Sequence, residues 1–257
     1  MNQTITANLA RVEGDLGAKS EIGLILPTYC EVSNIEKLIG DIESLDLDVR
    51  ILVIDDSSPD GTADAVRTLQ KKYSNILLLV RPKKSGLGTA ITDGFKTLIS
   101  LKNPPSYIVT MDADYSHNPR EVPRAIQTAR ESKGLAIGSR YCKGGGVVKW
   151  SIFRRLTSRI ANILAYILVR AKIHDYTSGL RCYSTRLVRE MVPDLHSETY
   201  EIQIETIRQA HKRGFDVREF PMTFVNRKNG KSKLSANEIK EFTSEILKIK
   251  RLKESAG

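Results

Sequence analysis

The stretch Tyr107-Ile108-Val109-Thr110-Met111-Asp112-Ala113-Asp114-Tyr115-Ser116-His117 decides how this chain is read. Its first half is apolar and β-favouring, a buried strand, and it stops abruptly at two carboxylates two residues apart. Extended chain places residues i and i+2 on one side, so Asp112 and Asp114 face the same way. Two like charges so close raise one another's pKa unless a cation lies between them. Such oxygen ligands suit Mg²⁺ or Mn²⁺, which bind one or two carboxylates together with the phosphates of a substrate. A solvated polar loop accounts for two aspartates equally well, so on this stretch alone both readings stand.

Working outward, further β-rich runs at residues 22–26, 49–54, 76–80 and 135–137 alternate with helical patterns, which predicts a parallel α/β sheet. Ligands of open α/β sheets bind beyond the carboxyl ends of the strands, and polar motifs stand there. The first run ends in Pro27-Thr28-Tyr29-Cys30-Glu31, the second in Ile54-Asp55-Asp56-Ser57-Ser58-Pro59-Asp60-Gly61-Thr62. A carboxylate so placed accepts from a base N–H or a ribose hydroxyl, and an aromatic ring beside it stacks on a base. Asp56 is read as ligand-binding, Asp60 and Thr62 as a turn and a helix cap. Ser33 and Glu36 read as a capping box that opens the first helix ahead of Leu38, Ile39 and Ile42.

A chain of 257 residues suits one sizeable domain, or a domain with an extension. Cys30, Cys142 and Cys182 lack metal or redox spacing, which argues against a disulfide framework or a zinc site and for a reducing compartment. Residues 1–20 lack an apolar core of signal-peptide length and read as a loosely ordered tail. The net charge of +10 points to a partner carrying phosphate: a nucleic acid, an anionic membrane or a phosphorylated small molecule. With 6% aromatic residues and no Arg/Gly-rich tract, nucleic acid is the weakest of the three.

After a glycine triplet at 144–146 the pattern becomes a long helical stretch, residues 150–169, then a short polar segment to Tyr183. A helix over 201–213, a strand over 217–225, a basic loop and a terminal amphipathic helix from about residue 236 follow. No run reaches the 18 to 20 apolar residues a bilayer requires. Phe153, Leu156, Ile160, Ile163, Leu164 and Ile167 nevertheless share one helical face, with Arg155, Arg159 and Asn162 on another. Between Gly145 and Tyr183 seven basic residues stand against one acid, which suits an anionic membrane surface. A helix packed on the core with a solvated basic side is the competing expectation.

Six blocks occur in order: Pro27-Thr28-Tyr29-x-Glu31; Asp55-Asp56-x-Ser58-Pro59-Asp60-Gly61-Thr62; Gly86-Leu87-Gly88-Thr89-Ala90; Asp112-Ala113-Asp114-x-Ser116-His117-x-Pro119; Gly138-Ser139-Arg140-Tyr141; and Asp175-x-Thr177-Ser178-Gly179-x-Arg181. In order and spacing they resemble the dolichyl-phosphate mannosyltransferase branch of glycosyltransferase family two, over roughly residues 21–233. The resemblance implies a GT-A fold, a Rossmann-like and mostly parallel sheet flanked by helices. It also implies a catalytic domain over 21–235 with amphipathic interface helices at 150–172 and a C-terminal amphipathic helix at 236–257. It further implies a GDP-mannose donor, an Mg²⁺ or Mn²⁺ ion and a polyprenyl phosphate acceptor; with no spanning run in the sequence, the chain is expected as a peripheral protein on the cytoplasmic face of a membrane. Either the amphipathic helices or a partner subunit would hold the chain there.

Carried over residue by residue, the resemblance makes Pro27, Tyr29, Glu31, Ile54 and Asp56 the nucleoside pocket and Asp112 and Asp114 the metal ligands. Ala113 contributes backbone beside them, and Ser116 stands where some relatives offer a further ligand. Arg140, Arg227 and Lys233 are expected at donor or acceptor phosphates, and Arg181 is a further phosphate candidate. Cys30 stands where Asn is usual and Leu180 where Phe is usual. A UDP-glucose-dependent dolichyl-phosphate glucosyltransferase is the nearest competing expectation. A non-catalytic membrane-binding module would explain the charge but not the strand-end acids.

Overall fold

The structure, a computed structural model, describes residues 12–226. The strands are Val12–Glu13 (β1), Ile22–Thr28 (β2), Val49–Asp55 (β3), Ile76–Val80 (β4), Tyr107–Thr110 (β5), Leu135–Ser139 (β6), Gly146–Val148 (β7), Arg181–Ser184 (β8), Val217–Pro221 (β9) and Thr223–Val225 (β10). Eight of them form one sheet in the order β1-β4-β3-β2-β5-β8-β6-β9. β4, β3, β2 and β5 run parallel, as do β6 and β9, whereas β8 lies antiparallel between β5 and β6 and β1 antiparallel on β4. The helices are Val32–Glu43 (α1), Thr62–Gln70 (α2), Leu87–Ser100 (α3), Val122–Ser132 (α4), Ile152–Val169 (α5), Thr185–Met191 (α6) and Ile202–Lys212 (α7).

Alternation along the strands divides the core between two faces. Leu24, Leu26, Ile51 and Val53 pack with Ile35, Leu38, Ile39 and Ile42 of α1 and with Val66 of α2. Ile25, Leu52 and Ile54 pack with Ile91, Phe95 and Leu98 of α3 and with Ile204 and Ile207 of α7. Strands buried on both faces read as continuous apolar runs, which is why β2, β3 and β4 were visible from sequence.

Four details depart from expectation. Ser33 lies inside α1 and makes no cap; the N–H of Val32 donates instead to Asp60 Oδ2 at 3.1 Å, across the neighbouring loop. The segment expected as a loose tail carries β1, fixed by Arg67 Nε and Nη2 donating to Glu13 at 2.9 Å each. The strand expected over 217–225 breaks at Met222 into β9, on the main sheet, and β10, which pairs with β7. β8 falls within the segment expected to be merely polar. The helix expected from residue 236 lies outside the described residues.

Candidate active site

β5 delivers its side chains one residue short of Asp112, and the turn that follows is closed by its own polar atoms. Ser116 N–H donates to Asp114 Oδ1 at 2.9 Å, and Asp112 N–H donates to His117 Nδ1 at 3.3 Å. His117 is fully buried, and burial pushes its imidazole below the ordinary value while the Asp112 and Asp114 carboxylates pull the other way. Neutral and accepting at Nδ1, the ring carries its proton on Nε2. Gly179 abuts the same turn: a Cβ there would lie 3.2 Å from both Asp112 Oδ1 and His117 Cε1.

The donor set suits a hard divalent cation. Two carboxylates stand together, and the buried Ser116 Oγ lacks a hydrogen-bond partner among the described residues. No cluster of three or more His, Cys, Asp or Glu exists among those residues, so an ion on this pair would take its other oxygens from water or a bound phosphate.

An open cleft runs from this pair across the ends of β2 and β3. Pro27, Tyr29, Glu31, Asp56, Ala113 and both aspartates of the pair line it together; Lys84, Gly86, Leu87 and Ala90 line it too and were not among the site residues expected from sequence. The loops are built by local bonds. Asp55, buried, accepts from Ser58 N at 2.9 Å and Ser58 Oγ at 2.6 Å, and Ser58 Oγ accepts from Cys30 N at 2.9 Å. That fixes the chain between Tyr29 and Glu31, where Cys30 takes a left-handed φ of 60°. Asp60 holds two helix starts, accepting from Thr62 N at 3.1 Å as well as from Val32.

Asp56 has a stronger partner than the sequence suggested. Arg81 Nε and Nη2 donate to its two oxygens at 2.5 and 2.8 Å, and Ser85 N donates at 3.2 Å. A carboxylate has roughly four acceptor positions, so room remains for one more donor. Ile54 is corrected: it is fully buried, in the core against Gly94 of α3, and is absent from the cleft lining. At a strand position facing the helix layer its side chain cannot reach the cleft.

The block at residues 175–181 lies behind the carboxylate pair, which it reaches through Gly179, and it is scaffold. Arg140 Nε and Nη2 close on Asp175 at 2.7 Å each, Arg140 N donates to Asp175 at 2.9 Å, and Nη2 also meets Thr177 Oγ1. Burial alone would raise the Asp175 carboxyl; the Arg140 guanidinium overrides it and holds the group below the ordinary carboxylate range. The fork of Arg140 is therefore already engaged within the protein rather than held out to a phosphate. Arg181 is corrected more completely. It is fully buried, and its guanidinium donates to the carbonyls of Ser178 (2.8 Å), Tyr176 (2.9 Å) and Gln203 (2.5 Å) and to Thr206 Oγ1 (2.8 Å). A guanidinium so enclosed ties the segment 176–178 to α7 and does not line the cleft. Arg227 and Lys233 lie outside the described residues.

α5 is bolted to this segment by its polar side. Tyr141 Oη donates to Ser158 Oγ at 2.7 Å, and Asn162, buried, accepts from Tyr176 N at 2.6 Å. Its large apolar side chains point the other way: Ile152, Phe153, Leu156, Ile160, Ile163, Tyr166 and Ile167 are 48% to 86% exposed. The core-packed expectation is thereby reversed. No helix among the described residues is long and apolar enough to cross a membrane.

A family model described as Glycosyl transferase family 2 matches residues 24–192. The polyprenol monophosphomannose synthase of Mycolicibacterium smegmatis is 37% identical over 220 residues, which span 85% of this chain and 82% of that protein. The undecaprenyl-phosphate mannosyltransferase of Micrococcus luteus is 33% identical over 218 residues, 84% of this chain and 88% of that one. Among solved structures, the glucosyl-3-phosphoglycerate synthase of Mycobacterium tuberculosis in complex with Mn²⁺, UDP and glucosyl-3-phosphoglycerate superposes with a TM-score of 0.66 at 18% identity. That alignment covers 97% of this chain and 82% of the other, and it identifies the GT-A fold.

Proposed function

The chain belongs to glycosyl transferase family 2 and is a glycosyltransferase, and we propose that it moves mannose from GDP-mannose to a polyprenyl (dolichyl) phosphate with inversion at the anomeric carbon. The observation that carries this reading is a juxtaposition: the segment that backs the carboxylate pair through Gly179 also docks, through Tyr176 and Thr177, the helix whose apolar face is turned outward. The names of the two bacterial relatives support mannose and a polyprenyl phosphate.

In this reading Tyr29, Glu31 and Asp56 hold the nucleoside, Pro27 and the Ala113 backbone frame it, and Asp112 and Asp114 hold Mg²⁺ or Mn²⁺. A bound divalent cation would neutralise charge developing on the leaving diphosphate. Gly179 and His117 fix the carboxylates from behind. The acceptor is a phosphate monoester whose second pKa lies near 6, so at pH 7 it is largely a dianion and needs no strong general base. Positioning governs instead, and Arg227 and Lys233 remain the proposed phosphate contacts. Basic residues Arg155, Arg159, Arg170 and Lys172 flank the apolar face of α5, which suits the headgroup layer of an anionic bilayer.

A donor panel tests this. The purified chain, Mn²⁺ and a polyprenyl phosphate in anionic vesicles are offered GDP-mannose, UDP-glucose or GDP-glucose, and lipid products are weighed by mass spectrometry. Hexose addition from GDP-mannose in preference to both others is expected. Preferred use of UDP-glucose would replace the donor, and transfer only to water-soluble acceptors would replace the lipid.

A further inference from the structure

The loop after β4 is held against the cleft more firmly than a surface turn requires. Besides its fork on Asp56, buried Arg81 donates to Thr89 Oγ1 at 2.7 Å and to the Gly86 carbonyl at 3.1 Å. The Gly86-Leu87-Gly88 turn beyond it is filled by protein. Gly88 N donates to the Glu198 carbonyl at 2.9 Å, and a Cβ on Gly86 or Gly88 would lie 2.3 Å from the Glu198 or Ser197 oxygen. Pinned between these anchors, Lys84 lines the cleft and holds Nζ 4.1 Å from the centre of the Tyr29 ring. Among the described lining residues it is the one cation, beside the acids Glu31, Asp56, Asp112 and Asp114.

We propose that Lys84 reads the nucleobase. It stands on a face of Tyr29 that a base would take in stacking, moves aside as the base enters, and donates from Nζ to the neighbouring O6 and N7 acceptors of guanine. The assignment rests on the guanine-nucleotide donor proposed above. Its anchors favour the base over the diphosphate: the ring contact is with Tyr29 and the loop is tied to Asp56, the residues given above to the nucleoside. Guanine presents two adjacent acceptors on this edge, whereas adenine sets an N6 donor beside N7 and repels an ammonium.

The test is equilibrium binding of GDP, ADP and UDP, each with Mn²⁺, to the full chain and to Lys84→Met and Lys84→Arg. Lys84 is exposed, so both variants should melt with the parent. Lys84→Met is expected to weaken GDP roughly tenfold and leave ADP unchanged, with Lys84→Arg restoring most of the loss, because a good base-edge contact carries about 1–3 kcal/mol. Equal weakening of GDP and ADP would move Lys84 to the diphosphate and overturn the proposal, as would no change in either. A parent chain that binds UDP but not GDP would instead refute the donor reading, and the Lys84 assignment would fall with it.

Discussion

Asp112 and Asp114 are the residues whose place was most legible from sequence, because an apolar strand stops at two acids two residues apart and the cleft opens at that strand end. Asp112→Asn or Asp114→Asn should abolish transfer and weaken Mn²⁺-dependent GDP binding while leaving the melting temperature near that of the parent. Retained Mn²⁺-dependent binding in both variants would remove the metal role. Arg181 shows where residue-level reading stops. An arginine in a motif shared with phosphate-handling relatives looks like a phosphate contact, and only the fold shows that β8 carries it inward. Arg181→Ala strands the carbonyls of Tyr176, Ser178 and Gln203. At roughly 1–3 kcal/mol for each unpaired buried group, the variant should lose about 3 kcal/mol or more in urea unfolding. Unchanged stability with selective loss of lipid transfer would restore the phosphate role. Asp56 is intermediate: its place on the cleft was readable, but its pairing with Arg81, 25 positions on, was not.

At the scale of elements, the parallel strands were legible because burial on both faces writes a continuous apolar run. β8 was not, since Arg181 and Tyr183 interrupt its pattern and are buried through hydrogen bonds rather than by being apolar. The capping box at Ser33 failed for a related reason: Asp60, distant in sequence, supplies the acceptor. Asp60→Ala should therefore cost about 1 kcal/mol in unfolding and raise the KM for donor, because the cleft-lining loops after β2 and β3 both end at helix starts held by that side chain. The sequence showed that α5 is two-faced but not which face turns outward, and the small, polar side proved to be the one that docks. Ile160→Asp with Ile163→Asp should release the protein from anionic liposomes, with GDP-mannose binding and melting temperature unchanged. A large fall in melting temperature without selective loss of liposome binding would mean that this face packs on protein.

Across the whole molecule, the Arg140–Asp175 pair joins the β6 end to the segment behind the carboxylates, so site integrity and stability share one ionic bond. Asp175 is held below its ordinary value of 3.8. A carboxylate depressed by folding contributes its stabilisation fully above the unfolded value and loses it as pH falls through the folded one. Urea midpoints should therefore fall as pH drops below about 4, and Asp175→Asn should start lower and flatten that acid limb. An acid limb of unchanged steepness in the variant would assign it to other groups. The central claim joins the cleft, the carboxylate pair and the outward face of α5 into one reaction. Its most direct test is a time course of label entering lipid from GDP-[¹⁴C]mannose, with polyprenyl phosphate vesicles and Mn²⁺, run with and without chelator. The account predicts label in the organic phase that stops on chelation and never appears with Asp112→Asn; full transfer in chelator, or none under any metal, would contradict it.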